Sequence, residues 1–108
     1  MSYHKKLKRE AKQVVKIIKE FWGSDVSKIC IKNISTKPFD MYQIHMIIHR
    51  QQIKMEYDRS TLAIMIKDGN EYISLSQFTN ESVFKGFDSF VTENMLHNFR
   101  VLDNSMKT

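Results

Sequence analysis

MYQIHMIIHRQQIKMEYDRSTLAIMIKDGNEYISL, residues Met41 to Leu75, is the stretch whose reading decides the fold. Read in steps of two, Tyr42, Ile44, Met46 and Ile48 fall on one face of a strand, and Gln43, His45, Ile47 and His49 on the other. Ile53, Met55 and Tyr57 resume the alternation in the opposite parity. A one-residue slip exchanges the faces of a strand, so the switch across Arg50–Gln51–Gln52 calls for a turn or a bulge, and a hairpin is preferred. A helix over Met41–Met55 is the competing reading, because Met41, Ile44, Ile48 and Met55 are roughly helically spaced. Asp58–Arg59–Ser60 reads as a turn, and Leu62, Ile64 and Ile66 open another strand. Asp68–Gly69 between apolar alternations is a strong hairpin signal, with Glu71–Leu75 as the returning strand.

Upstream, Lys28–Lys32 alternates as a short strand, and Asn33–Asp40, with the chain's one proline, Pro38, reads as a loop. Before them, His4–Trp22 winds into a two-faced helix. Leu7, Ala11, Val14, Val15, Ile18, Phe21 and Trp22 share the i, i+3, i+4, i+7 spacing of a core-facing stripe. Lys5, Lys8, Arg9, Lys12, Lys16 and Lys19 form the opposite stripe, about 100° wide. Ser2 is the candidate N-cap, and Gly23 stops the helix.

Downstream, a second helix is expected over Asn80–Phe99, capped by Thr79 or Asn80. Val83, Phe84, Phe87, Phe90, Val91, Met95 and Phe99 are its apolar stripe. Gly86 inside it costs about 1 kcal/mol relative to alanine. Residues 1–3 and 103–108 are expected to be loose ends. The order of elements predicts a single α+β domain over residues 1–108. It is a two-layer sandwich in which an antiparallel sheet of four to five strands is covered on one face by an N-terminal and a C-terminal helix.

Charge is segregated along the chain. Seven Lys/Arg stand against Glu10 and Glu20 in the first twenty residues, while the rest of the chain is neutral and the whole carries +5. No run approaches the ~18 apolar residues of a membrane span, and the first helix is too cationic for a signal peptide. One cysteine, Cys30, allows no internal disulfide, so a cytoplasmic, soluble protein is expected.

Candidate chemistry is sparse. Three glycines leave no phosphate-cradling loop of the known kinds. His45 and His49 would have metal-ligand spacing on a helix, but on a strand they stand about 13 Å apart. Cys30 reads as a small strand-core residue, and a nucleophilic role would need a histidine that only the fold can supply. Tyr42 and Tyr57 read as core, Tyr72 as exposed. No enzyme, cofactor, metal, small-molecule substrate or membrane is expected. The basic stripe suits phosphates or an acidic partner, and the dominance of lysine over arginine favours point-charge contact over bidentate reading of bases.

The helix–strands–helix order is similar to that of double-stranded-RNA-binding domains. Their lysine cluster at the start of the second helix is absent, since Asn80–Glu81–Ser82–Val83–Phe84–Lys85 holds one cation. DGNEYISLSQFTNESVFKGFDSF, Asp68 to Phe90, resembles a small phage-encoded family of inhibitors of type II-A CRISPR nucleases (anti-CRISPRs). The match lies in Asp68–Tyr72, Asn80–Ser82, Phe87 and Phe90. That family is acidic and resembles DNA in its charge, whereas this chain is basic. The resemblance therefore implies an inhibitor that engages guide RNA, target DNA or an acidic surface of the nuclease.

The expected function is a small non-enzymatic regulatory or inhibitory binding protein, encoded by a phage or mobile element. It docks Lys5, Lys8, Arg9, Lys12, Lys16 and Lys19 on nucleic acid or on a nucleic-acid-handling protein. The competing expectation is a protein–protein adaptor or homo-oligomer acting through its sheet, with the basic helix merely solvated.

Overall fold

The computed structural model describes residues 3–107, Tyr3 by its backbone alone. The expectations for Met1, for Ser2 as a cap and for Thr108 lie outside the described residues. Helix α1 (Tyr3–Trp22) leads through a 3₁₀ turn at Gly23–Asp25 into β1 (Val26–Ser35). Strands β2 (Met41–Ile48), β3 (Gln51–Asp58), β4 (Thr61–Asp68) and β5 (Glu71–Ser74) follow, then a short α2 (Leu75–Phe78), a 3₁₀ turn at Gly86–Phe90, and α3 (Thr92–Met106). The five strands pair antiparallel in sequence order.

The parity switch in the sequence is a hairpin. Tyr42 pairs with Tyr57, Ile44 with Met55 and Met46 with Ile53, so both apolar sets share one face. Ile53, Met55 and Tyr57 in turn pair with Ile66, Ile64 and Leu62. The turns are one residue tighter than expected, because Gln51 and Gln52 already belong to β3. His49 and Arg50 take φ of 49° and 70°, and Arg59 and Ser60 take 50° and 67°. Positive φ at both central residues gives the turn twist that two-residue hairpins favour, although side-chain-bearing residues occupy it at a cost.

The covered face holds one core. Leu7, Ala11, Val14, Ile18 and Trp22 of α1 pack with the apolar rows of β2, β3 and β4. Val15 and Phe21, read as part of the same stripe, are half-buried. α1 lies chiefly over β1 and β2. Strand β1 is longer than expected and takes Asn33–Ser35 from the predicted loop. Its pairing shifts between Ser27 and Cys30 and between Lys32 and Ser35, and Lys28 and Asn33 take positive φ near those shifts.

The second helix is the main correction. Asn80–Lys85 is not helical, Gly86–Phe90 is a 3₁₀ turn, and α3 starts only at Thr92. Gly86 has a φ of 62°, outside the helical region, and Val91 is extended. The phenylalanines at 84, 87 and 90 imitate a helical stripe, yet Phe84, Phe87 and Val91 are exposed. The loose tail expected over residues 103–108 is also corrected. Asp103–Met106 completes α3, and Val101, Leu102 and Met106 are buried. Ser74 ends β5, so Leu75 starts α2 instead of finishing a strand.

Leu102→Ala should destabilise the fold by about 2–5 kcal/mol in chemical denaturation, as core truncations do and a change in a loose tail would not. Arg50→Gly should raise stability by about 0.5 kcal/mol, read as a higher thermal midpoint, because glycine takes positive φ without steric cost.

Candidate functional site

Amphipathic packing of α1 decides where its cations go. With the apolar stripe on the sheet, Lys5, Lys8, Arg9, Lys12, Lys16 and Lys19 are all exposed. At the helical rise they span about 21 Å. Among the described residues, none of Lys8, Arg9, Lys12, Lys16 and Lys19 forms an ion pair. Lys12, Lys16 and Lys19 border a shallow groove of about 520 Å³ between α1 and β1, together with Val15, Glu20 and Ile31. Lys28 and Lys32 on β1 are exposed as well, but Lys32 stands opposite Gln43 on the uncovered face of the sheet, away from α1.

The acids of α1 do little to neutralise this face. Glu20 stands at the groove, and Glu10 is turned inward towards Tyr42 and Tyr57, whose rings stack at 4.6 Å. Burial raises the pKa of Glu10 first; Asp40 raises it further, and a hydrogen bond with Tyr57 pulls the other way. Burial, then the charges of Glu10 and Tyr57, push the Tyr42 phenol above its ordinary range. Glu10 Oε1 and the Tyr42 hydroxyl are both buried without a hydrogen-bond partner, which is a local cost to the fold.

The histidines are separated by their roles. His45 lies on the uncovered sheet face and bonds Gln43 Oε1 at 2.9 Å; burial, Lys32 and Lys54 lower its pKa against a raising contribution from Glu56. His49 sits in the β2–β3 turn and bonds Asp103 at 2.8 Å. His97 meets the carbonyl of Ser82 at 3.0 Å. Among the described residues, no three His, Cys, Asp or Glu side chains gather as a metal site. Cys30 is exposed, against its reading as a core residue, because it pairs across the strands with His45 on the uncovered face.

That uncovered face is polar. Gln43 donates to Glu56 at 3.3 Å, Asn33 donates to Gln43 at 2.9 Å, and Lys54 pairs with Glu56 at 2.9 Å. Lys54 also lies over the ring of Tyr72 at 4.5 Å, so Tyr72 is half-buried instead of exposed. Ile47 and Met65 share this face but stand apart, opposite Gln52 and Lys54.

Asp103 has a role that the sequence did not signal. Its carboxylate accepts from Trp22 Nε1 at 3.0 Å and from His49 at 2.8 Å, and pairs with Lys107 at 2.9 Å. Burial alone would raise its pKa, but the hydrogen bonds from Lys107, His49 and Trp22, with the Lys107 charge, together hold it below the usual carboxylate range. Asn98 and Ser89, likewise unmarked in the sequence, are buried polar residues among the described ones.

No protein family, curated protein or solved structure matches this chain. No helix among the described residues is long and apolar enough to cross a membrane.

Two titrations test this electrostatic picture. The folded pKa of Glu10 is raised, so its ionisation opposes folding as pH climbs through that value. Glu10→Gln should therefore stabilise the protein at pH 7, with the gain shrinking towards pH 4 in urea melts. The folded pKa of Asp103 is depressed, so its stabilisation is present above the ordinary carboxylate pKa and is lost as pH falls through the folded value. Asp103→Asn should be destabilising at pH 6 and should converge on the native protein only once pH has fallen below the depressed folded value.

Proposed function

We propose that the chain is a small, non-enzymatic binding protein that docks the outer face of α1 on nucleic acid. The observation that carries this reading is a line of exposed cations along one helix, five of them without an acid in ion-pair reach. A cationic face of this kind neutralises phosphates and releases their counterions. Lysines act there as point charges, so affinity depends little on base sequence. The groove beside Lys12, Lys16 and Lys19 gives the polyanion a track along the helix.

The reading extends to a regulatory or inhibitory role in a protein encoded by a phage or mobile element, and its support is the resemblance of one stretch of sequence and not the basic surface itself. A basic protein that covers guide RNA or target DNA blocks a nuclease without any chemistry of its own. The resemblance of Asp68–Phe90 to inhibitors of type II-A CRISPR nucleases supports a target of that class. An adaptor or homodimer built on the uncovered sheet has less support, because Gln43, His45, Lys54 and Glu56 make that face polar and bond to one another across it.

Binding to labelled duplex and single-stranded DNA and RNA across a salt series tests this reading, with Lys8, Lys12 and Lys16 changed to Glu in a matched variant. The native protein should weaken steeply, with a log–log slope of roughly −3 to −5, and the triple variant should lose both affinity and slope. Absence of binding by the native protein at low salt, or equal binding by the variant, overturns the proposal.

A further inference from the structure

At the end of the sheet where β1 passes into β2 and β3 into β4, an aromatic ring and a guanidinium form an exposed pair. Phe39 is 44% exposed, and the guanidinium of Arg59 lies over it, with Cζ 4.1 Å from the ring centroid. Asp58 holds the guanidinium there, accepting from Arg59 Nε at 2.8 Å. The backbone N–H of Arg59 donates to the carbonyl of Asp40 at 3.2 Å, which ties the β3–β4 turn to the Phe39 loop. Earlier in that loop, Ser35 Oγ donates to the carbonyl of Lys37 at 2.7 Å and accepts from its N–H at 3.2 Å. The ring is thus presented by a loop that is fixed on both sides.

The pair adjoins the basic helix. Glu10 of α1 is turned towards this end of the sheet, where it meets Tyr57 and the charge of Asp40, the neighbour of Phe39. Tyr57 in turn bonds Ser60, the neighbour of Arg59. Lys6 stands one helical turn before Glu10 and Arg9 directly before it, both exposed, so the cationic surface of α1 continues towards the loop. Lys37 adds an exposed cation two residues from the ring. Cations that follow phosphates, beside an aromatic or guanidinium face that takes a base, are the parts with which unpaired nucleic acid is held. A duplex keeps its bases stacked inside and offers no free base to such a pair.

We propose that the nucleic acid docked on α1 is single-stranded, and that Phe39 and Arg59 form the platform on which one of its unpaired bases stacks. The inference rests on the reading of α1 as a polyanion surface and names the class of ligand it takes. The groove beside Lys12, Lys16 and Lys19 is floored by Val15 and Ile31, which offer no ring to a base. Phosphates therefore run along the helix, and the base contact falls beyond its N-terminal half, at the loop. An aromatic face accepts any base, in keeping with lysine contacts that are indifferent to sequence.

Fluorescence anisotropy with a mixed-sequence labelled oligonucleotide, as DNA and as RNA, single-stranded and annealed to its complement, tests this across a salt series. The native protein should bind the single strand more tightly than the duplex. Phe39→Ala should weaken single-strand binding roughly 5- to 150-fold, the range of one lost base stack, at every salt concentration. Its log–log salt slope should stay that of the native protein, because stacking releases no counterions, whereas changing Lys8, Lys12 and Lys16 to Glu lowers the slope. Duplex binding should be unchanged by Phe39→Ala. If circular dichroism shows that Phe39→Ala disturbs the fold, Phe39→Leu, which keeps the bulk and removes the ring face, carries the same test. A duplex bound at least as tightly as the single strand, or single-strand binding indifferent to loss of the ring, overturns the inference and leaves the polyanion reading of α1 standing. If no nucleic acid binds at low salt, both fall.

Discussion

The junction at Asp103 is the interaction on which the arrangement of layers depends. One carboxylate receives the indole of Trp22 from the end of α1, the imidazole of His49 from the β2–β3 turn, and the ammonium of Lys107 from the end of α3. Around it, Phe99 packs against Phe21 and Trp22 with ring centroids 5.7 and 4.9 Å apart. Hydrogen bonds to a largely buried charge are stronger than neutral ones, and losing the acceptor would strand the indole N–H. The pin thus fixes both long helices against the same corner of the sheet. α1 can then present its outer face without being held there from outside.

From that corner the sheet divides the molecule into surfaces of different chemistry. One face is closed by helices over an apolar core, and the other is a polar lattice of hydrogen-bonded amide, imidazole, ammonium and carboxylate groups. Cations collect beyond the β1 edge on α1, while exposed aromatics collect beyond the β4 edge on the 83–91 segment. The two edges are chemically unlike.

Much of this was legible in local pattern. Period-two alternation from Tyr42 to Ile66 named the buried row of three strands, because strand side chains must alternate and only one face can meet the helices. The helical stripe from Leu7 to Trp22 named the buried side of α1, and its complement named the six cations. Reading failed over residues 80–91. There the spacing of Phe84, Phe87 and Phe90 satisfied helical periodicity, while Gly86 and Val91 took conformations that no helix allows. Periodicity records which positions are apolar, but not whether the backbone between them is helical. Cys30 was misplaced although the alternation of β1 held: it shares the side of Lys32, opposite His45 and Gln43 on the uncovered face, while Ile31 faces the core, and small apolar size alone was a poor guide to burial.

The sequence by itself determined the elements whose signal is local: the basic amphipathic helix, the hairpins, the charge segregation and the apolar face of the sheet. Only the tertiary structure decided what depends on residues far apart in the chain. Asp103 gains its role from Trp22, eighty-one positions away, and His49, fifty-four away. Asn98 gains its role from the Phe84 backbone, and Ser89 from the edge of Leu62. Each of these polar side chains looks ordinary in its own neighbourhood, since a hydrogen bond is specified by where two groups meet in space. Local spacing carries hydrophobic periodicity, but it holds no record of such a meeting.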